Sequence, residues 1–389
     1  MTTRVLVIGG GFAGCCAAHL LSEKGWKVTL VETAPFLGGG CKTFRYGGHP
    51  YTFGPRHFLT RDEKLFEFLH RYVPMRRIPE HEFLTYVERD PGFYHFPIHR
   101  DDVQLMPDHV GIEAELAGLN GVEAAQNLEE YWIRSVGPTL YSKFIDAYSK
   151  KMWQVASNIE IDDFAFSPKG VALKTGSKAA WTEAISAFPL AIDGYDEYFA
   201  IATRNTDVHL KTAIEAYDIE QYRVRIDGRW FTYDIIVNTI SPEIILNGVF
   251  GPLRWIGRDF FKVVLPVREV FPPNVYFLYY ANSEPFTRIV EYKKFYRYES
   301  PTTLIGIEIP SKKNALYPYP VKKDQEQAQK YLDALPGRAF SIGRAGSYRY
   351  IDIDDIIAQC LDLSKSLDGQ GTSGQPSAIE GDAAGADTR

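Results

Sequence analysis

Residues 4–8 (Arg-Val-Leu-Val-Ile) form an apolar run of strand length. Residues 12–24 carry apolar side chains at helical spacing and stop at Gly25, and residues 27–31 are strand-like again, ending at Glu32. This predicts a βαβ opening, the unit of parallel sheets in α/β folds. From about residue 62 to 160 apolar positions recur at three and four, notably over 62–72 and 124–153, which predicts an inserted helical domain. Short β-rich segments follow at 209–210, 222–226, 230–237, 261–267, 275–280, 288–292 and 303–309, with Asp227-Gly228 as a hairpin turn, and predict an antiparallel sheet. Residues 324–335 read as a helix, 339–342 as a strand and 353–367 as a closing helix. The expected partition is therefore discontinuous. Residues 1–78 with about 236–250 and 325–367 form a dinucleotide-binding domain. Residues 79–185 form a mainly helical domain with a mobile lid near 162–178, and 186–235 with 251–324 an antiparallel sheet domain. Residues 368–389, rich in Gly, Ser, Ala and Asp, are expected to be a disordered tail.

Composition narrows the class. A chain of 389 residues, 45% hydrophobic and 24% charged, is an ordinary globular protein, and at roughly 100–200 residues per domain it holds two or three domains. Its 43 basic and 49 acidic side chains leave a net charge of −6, which argues against a nucleic-acid partner. No window reaches the ~18 consecutive apolar residues of a membrane span, and the N-terminus runs into a strand pattern rather than a secretory leader, so a cytoplasmic protein with no membrane partner is expected. Cys15, Cys16, Cys41 and Cys360 make no C-x-x-C pair and no zinc spacing; they read as packing thiols, and no metal is expected. The 24 Tyr, 24 Phe and 6 Trp hint at a site that stacks rings or offers hydroxyls to phosphate.

The glycines carry the first chemistry. Gly9-Gly10-Gly11-Phe12-Ala13-Gly14 matches G-x-G-x-x-G between a predicted strand and a predicted helix, with Glu32 placed to hold a ribose. Gly9 permits the tight turn, Gly11 the approach of a pyrophosphate to the helix N-terminus, and Gly14 close packing of helix on strand. Phe12 and Ala13 complete the first helical turn. Three further features favour FAD over a nicotinamide: the second cluster Gly38-Gly39-Gly40, the closing Gly343-Arg344, and residues 233–239, which read as the strand returning to the dinucleotide domain.

Four longer segments point to one family. Asn127-Leu128-Glu129-Glu130, then residues 141–144, then Ala147-Tyr148-Ser149-Lys150-Lys151-Met152-Trp153 resemble the helical-domain signature of UDP-galactopyranose mutases. Residues 286–295 resemble that family's T-R-I-x-E-x-K-x-F segment, Tyr317-Pro318-Tyr319-Pro320-Val321 its Tyr-Tyr-Pro segment, and residues 343–352 its G-R-x-x-x-Y-x-Y-x-D motif. The resemblance spans about residues 1–365 in order. It implies a Rossmann-like FAD-binding domain with an inserted helical domain and an antiparallel β-sheet domain. It further implies a mutase that interconverts the pyranose and furanose forms of a nucleotide-diphosphate sugar, with no net redox change. In that family reduced FAD, maintained by an external reductant, attacks the anomeric carbon through N5 and expels the nucleoside diphosphate, which returns after the ring closes through a different hydroxyl. The family's frequent dimers suggest a homodimer.

Carried over by motif, Arg288 is the diphosphate-binding arginine, and Tyr148, Tyr319 and Tyr350 face the phosphates. Phe144 packs on the base, Trp153 and Ser149 stand near nucleotide and sugar, Asp352 belongs to the same cluster, and Arg344 contacts the flavin. Departures stand out in Phe53-Gly54-Pro55-Arg56-His57-Phe58-Leu59-Thr60, where the family has aromatic-G-P-H-x-F-H-T. Arg56 replaces the first histidine, Leu59 the second, and His57 is displaced by one. Arg56 places a permanent charge beside the flavin, favouring its anionic reduced form. Lys174 substitutes for the lid arginine, ahead of Lys169, and Phe188 for a family tyrosine. The candidate catalytic set is thus Arg288, Tyr319, Tyr350, Arg56 and His57. The departures point from UDP-galactose toward a deoxy, amino or heptose sugar, or a TDP or GDP carrier. The alternatives are an FAD-dependent oxidoreductase of the amine-oxidase type and a catalytically inactive nucleotide-sugar-binding relative.

Overall fold

The computed structural model of the chain describes residues 2–163 and 173–368. Strands Arg4–Ile8 and Lys27–Val31 pair in parallel with Val5 opposite Val28, and helix Phe12–Glu23 crosses between them. They lie inside a five-stranded parallel sheet, completed by Asp207–His209 on one side and by Ile235–Asn238 and Ala339–Ser341 on the other. Both faces are covered, which is why these strands read as unbroken apolar runs. Phe12–Glu23, Ile353–Asp368 and Asp196–Ala202 pack on one face around Val5, Val7, Leu30, Tyr198 and Ile357. A small antiparallel sheet, Ala216–Asp218, Arg223–Ile226 and Arg229–Thr232, shares a core with Leu6, Ile8 and Ile236. The hairpin at Asp227-Gly228 forms as read, both residues at positive φ (48° and 73°). The four cysteines are buried and unpaired.

Two expectations about domains are corrected. Residues 186–235 do not join the large antiparallel sheet; Asp196–Ala202, Asp207–His209 and the hairpin all build the dinucleotide domain. Residues 79–95 are not helical; Glu82–Val87 and Gly92–His95 complete the large sheet. That sheet has seven strands, and Val275–Tyr280 against Glu82–Val87 is its parallel pair. In the first case short apolar runs showed strands but not their partners, which lie far away in sequence; in the second the strands Glu82–Val87 and Gly92–His95 were read as part of the helical block.

The expected helix over 124–153 is three helices. Asn127 caps Leu128–Val136 by accepting the Glu130 N–H at 3.0 Å. Gly137, at φ 84°, and Pro138 end it and start Pro138–Phe144; after Ile145 comes Asp146–Trp153. These helices and the large sheet enclose the largest core cluster, which includes Phe83, Phe96, Trp132, Phe277 and Phe295. Most of the lid expected at 162–178, with Lys169, and the tail from 369 onward lie outside the described residues. Among the described residues, no helix is long and apolar enough to cross a membrane.

Candidate active site

Two clefts share a wall. The first lies beyond the carboxyl ends of the parallel strands, where Gly9, Gly11, Glu32, Thr239 and Ile240 follow their strands directly. Gly9 has φ 98°, and a side chain there would meet Thr239 Oγ1 at 2.5 Å. A Cβ on Gly14 would lie 1.9 Å from the Gly9 carbonyl oxygen, so only glycine lets the helix approach its strand. A Cβ on Gly11 would meet nothing within 4 Å, which leaves open space over the first turn of Phe12–Glu23. That is where a helix N-terminus takes a phosphate. Glu32 is held at the floor of the cleft, accepting the Gly10 N–H at 2.6 Å and the Ala34 N–H at 2.7 Å. The second glycine cluster doubles back over this turn. Gly38 donates to the Gly10 carbonyl at 2.7 Å, and with φ 100° its α-carbon lies flat against Phe199. Phe12, Ala13, Gly38, Gly39 and Arg344 line the cleft, while Gly14 and Gly343 shape it from behind.

This set of glycine backbone N–H groups at a helix N-terminus with one carboxylate at the end of the second strand fits FAD. Arg56 and His57 line the same cleft, with Leu59 and Leu316. Arg56 donates from Nε to the Gly40 carbonyl at 3.2 Å. The His57 ring lies 6.2 Å from Phe295 and 5.2 Å from His81. Asp352 is corrected: it lines this cleft, not the substrate cavity, and pairs with Arg344 at 3.0 Å. Burial pushes the Cys41 thiol up, which leaves it an unreactive packing group.

The second cleft, a cavity, lies between the three helices and the large sheet. Phe144, Tyr148, Ser149 and Trp153 line it from the helices, as expected, and Phe96, Leu128 and Trp132 make that end apolar and aromatic. Arg288 reaches it from the sheet, gripped bidentately by Glu308 through Nε (3.0 Å) and a terminal nitrogen (2.7 Å). Two of the five guanidinium donors are thus used on Glu308, and Arg288 also hydrogen-bonds the Tyr279 side chain in the cavity wall. Glu308 is 1% exposed and directly opposite Arg288 in register. Sequence reading missed it, although a carboxylate on the inward face of the apolar strand Thr303–Ser311 was a usable signal. Arg258 was missed too. It is 2% exposed, donates to the Gly257 carbonyl, contacts the Met152 sulfur and has no carboxylate partner among the described residues. A buried guanidinium without a counter-ion is expensive unless an anionic ligand supplies one.

Tyr317 and Tyr350 close the cavity on the side of the first cleft. Their rings stack at 5.2 Å and 20°. The Arg258 guanidinium lies 4.8 Å from the Tyr317 ring, and that of Arg344 lies 5.0 Å and 5.1 Å from Tyr317 and Tyr350. Burial would raise the Tyr317 phenol, but Arg56, Arg258, Arg344 and Arg288 together hold it below its ordinary range. Tyr279, also in the cavity wall, is pushed up to about 12 by burial, with Arg288 pulling the other way.

Three expected substrate contacts fall elsewhere. Tyr319 is not in the cavity wall: the strand Tyr317–Pro318 ends before it, its N–H donates to the Tyr348 hydroxyl, and Arg254 lies 4.7 Å from its ring. Tyr317 takes the place expected for it. Phe188 is core, packed at 5.3 Å on Phe295 and 4.9 Å on Tyr296. Lys174 is tied to residues 98–100 by backbone bonds to Ile98 and Arg100, and its ammonium donates to the Ala179 carbonyl. No group of three or more His, Cys, Asp or Glu among the described residues is arranged to hold a metal.

A nucleotide cleft over the ends of a parallel sheet, sharing a wall with a cation-lined cavity, defines a dinucleotide-dependent enzyme acting on an anionic substrate. The comparisons narrow this further. The family model described as UDP-galactopyranose mutase matches residues 143–350, and one described as an NAD(P)-binding Rossmann-like domain matches residues 7–72. The chain is 23% identical to the dTDP-fucopyranose mutase of Escherichia coli, over 93% of this chain and 97% of that one. It is also 23% identical to a probable UDP-galactopyranose mutase of Klebsiella pneumoniae, over 92% and 93%. A crystal structure of reduced UDP-galactopyranose mutase superposes with a TM-score of 0.80 at 17% identity, covering 96% of this chain and 97% of the other. The protein belongs to the UDP-galactopyranose mutase family, and with it to the flavin-dependent isomerases of nucleotide sugars.

Proposed function

We propose that the protein interconverts the pyranose and furanose forms of a nucleoside-diphosphate sugar, with FAD held reduced in the first cleft by an external reductant. The observation that carries this reading is the shared wall. Leu316 and Arg344 face the dinucleotide cleft while their neighbours Tyr317 and Tyr350 face the cavity, an arrangement that supports a flavin and an anomeric carbon meeting at one seam. When bound and reduced, the flavin supplies through N5 a nucleophile for that carbon.

The chain's own groups do the rest. Phe144, Trp153 and their aromatic neighbours take the base. The free edge of Arg288 and the unpaired charge of Arg258 take the diphosphate, each charge-assisted bond contributing about 1.5–3 kcal/mol. Tyr148, Tyr317 and Tyr350 add hydroxyls without further charge. Glu308 fixes the Arg288 fork, so the departing diphosphate stays in place for recapture rather than diffusing away. With Arg56 and Leu59 where the family carries histidines, we favour a sugar other than galactose.

The test is to incubate dithionite-reduced protein with a panel of UDP-, TDP- and GDP-linked pyranoses and furanoses and separate the products by chromatography. Furanose formed only with reduced flavin supports the reading. Stoichiometric consumption of an oxidant would replace it with net redox chemistry, and binding without turnover would replace it with a sugar-nucleotide receptor.

A further inference from the structure

Most of the dinucleotide cleft offers glycine backbone, apolar side chains or a neutral hydroxyl, and its other charges are committed. Glu32 is held by two backbone N–H groups; Arg344 donates twice to the Ile351 carbonyl, at 2.9 and 2.7 Å, and pairs with Asp352. Arg56 differs. Its side chain makes a single hydrogen bond among the described residues, from Nε to Gly40, which leaves four of its five donors unused. It forms no ion pair there either, because the nearby carboxylate of Glu308 is already gripped by Arg288. The placement is nonetheless fixed. The Tyr195 hydroxyl donates to the Arg56 carbonyl at 2.8 Å, and Gly54, at φ 84°, turns the chain ahead of it. At Gly40 a Cβ would sit 3.1 Å from its terminal nitrogen. The charged and titratable groups facing it are Tyr317, Cys41, Glu308, Arg288 and Tyr195, with His57 beside it and the Arg344–Asp352 pair in the same cleft. Burial works against the Arg56 charge, but Tyr317 and Glu308 pull the other way, and the guanidinium stays cationic at every working pH.

We propose that Arg56 is the counter-ion of the reduced flavin: its fixed charge keeps the bound hydroquinone anionic through the neutral range and raises the reduction potential of the cofactor. The inference rests on the reading of this cleft as an FAD site. A positive group beside the ring stabilises the electron-rich reduced form over the oxidised one, and a guanidinium, unlike an imidazole, does so without titrating. An unpaired cation in a largely apolar cleft thereby gains its partner only when the flavin is reduced.

The experiment compares FAD-loaded wild type with Arg56→Lys, Arg56→Gln and Arg56→Met. Hydroquinone spectra are recorded anaerobically from pH 6 to 9, and potentials by equilibration with reference dyes. Wild type and Arg56→Lys should show the anionic spectrum throughout. Arg56→Gln and Arg56→Met should show a neutral-to-anionic titration within that range, and a reduction equilibrium at least tenfold less favourable, about 30 mV for a two-electron couple. Unchanged spectra and potentials in Gln and Met, or a Lys variant as displaced as Met, overturn the proposal. Failure of wild type to retain any flavin would overturn the FAD reading itself, a separate and distinguishable outcome. The Lys and Gln variants both keep hydrogen-bond donors and differ in charge, so a merely structural role for Arg56 would affect flavin occupancy and leave the potentials of these two equal.

Discussion

The two clefts are built by opposite means. The dinucleotide cleft is mostly backbone: its glycines sit within a few residues of strand ends, and what matters is the absence of a Cβ at 9, 14, 38 and 343. The cavity beside it is built of side chains from residues as far apart as Phe144 and Tyr350, and what matters is charge held out of water. A backbone cleft fails by collision, whereas a side-chain cavity fails by losing charge balance. Substitutions in the two should therefore differ in kind as well as size.

The largest effect belongs to the backbone cleft. Gly14→Val drives a methine carbon to within 1.9 Å of the Gly9 carbonyl, which no rotamer relieves. Destabilisation above about 3 kcal/mol is expected, with loss of flavin and of folded protein in circular dichroism. Gly11→Ala is the internal control: its Cβ meets nothing, so the flavin-free melting temperature should hold while flavin content falls. A Gly14→Val protein that stays yellow and melts normally would break the contrast at its first term.

Next is the paired charge of the cavity. Arg288→Ala should lower turnover by at least about a hundredfold while flavin is retained. It should also cost about 3–5 kcal/mol of stability, because Glu308 is left buried and alone. Adding Glu308→Gln to that variant should recover much of the melting temperature and none of the turnover. Near-normal turnover of Arg288→Ala would remove the diphosphate assignment.

Arg258 should behave oppositely because it has no carboxylate partner among the described residues. Arg258→Met removes a buried cation without orphaning a carboxylate, so the melting temperature should hold or rise while KM increases about tenfold or more. A drop in melting temperature with KM unchanged would show that Arg258 is structural.

The smallest effect is on pH. The folded Tyr317 phenol is held below its ordinary value, chiefly by Arg56 and Arg258 against the opposing effect of burial. A depressed value means that the folded state favours the phenolate, so this contribution to stability is complete above about pH 10. It is lost as pH falls through the folded value. Absorbance at 295 nm should show one tyrosine ionising below pH 10 in wild type and shifting upward in Arg258→Met. No early phenolate would mean that the arginine cluster does not act on Tyr317.

The same contrast explains what was legible. The dinucleotide fingerprint, Glu32 and the second glycine cluster were legible as a group, and they line one cleft, because their geometry is set within a few residues of a strand end. Helix-borne residues of the cavity, Phe144, Tyr148, Ser149 and Trp153, were named by the family motif that runs through two consecutive helices, and all four line the cavity. Tyr319 was chosen over Tyr317 because a motif two residues wide does not reveal where its strand stops. Phe188 and Lys174 were chosen by frame, and packing on Phe295 and backbone ties to Ile98 took them elsewhere. Arg258 and Glu308 went unread because an isolated charge in an apolar strand shows its side of the sheet but not its neighbour.

By itself, then, the chain determined the dinucleotide cleft, since sterics between residues five apart admit glycine and little else. Only the tertiary structure decided the electrostatics. Which guanidinium meets a carboxylate, as Arg288 meets Glu308, and which meets none among the described residues, as with Arg258 and Arg56, depends on strand register and on burial. Both are set by contacts between distant segments, and the energy of a charge depends on what surrounds it rather than on its place in the chain.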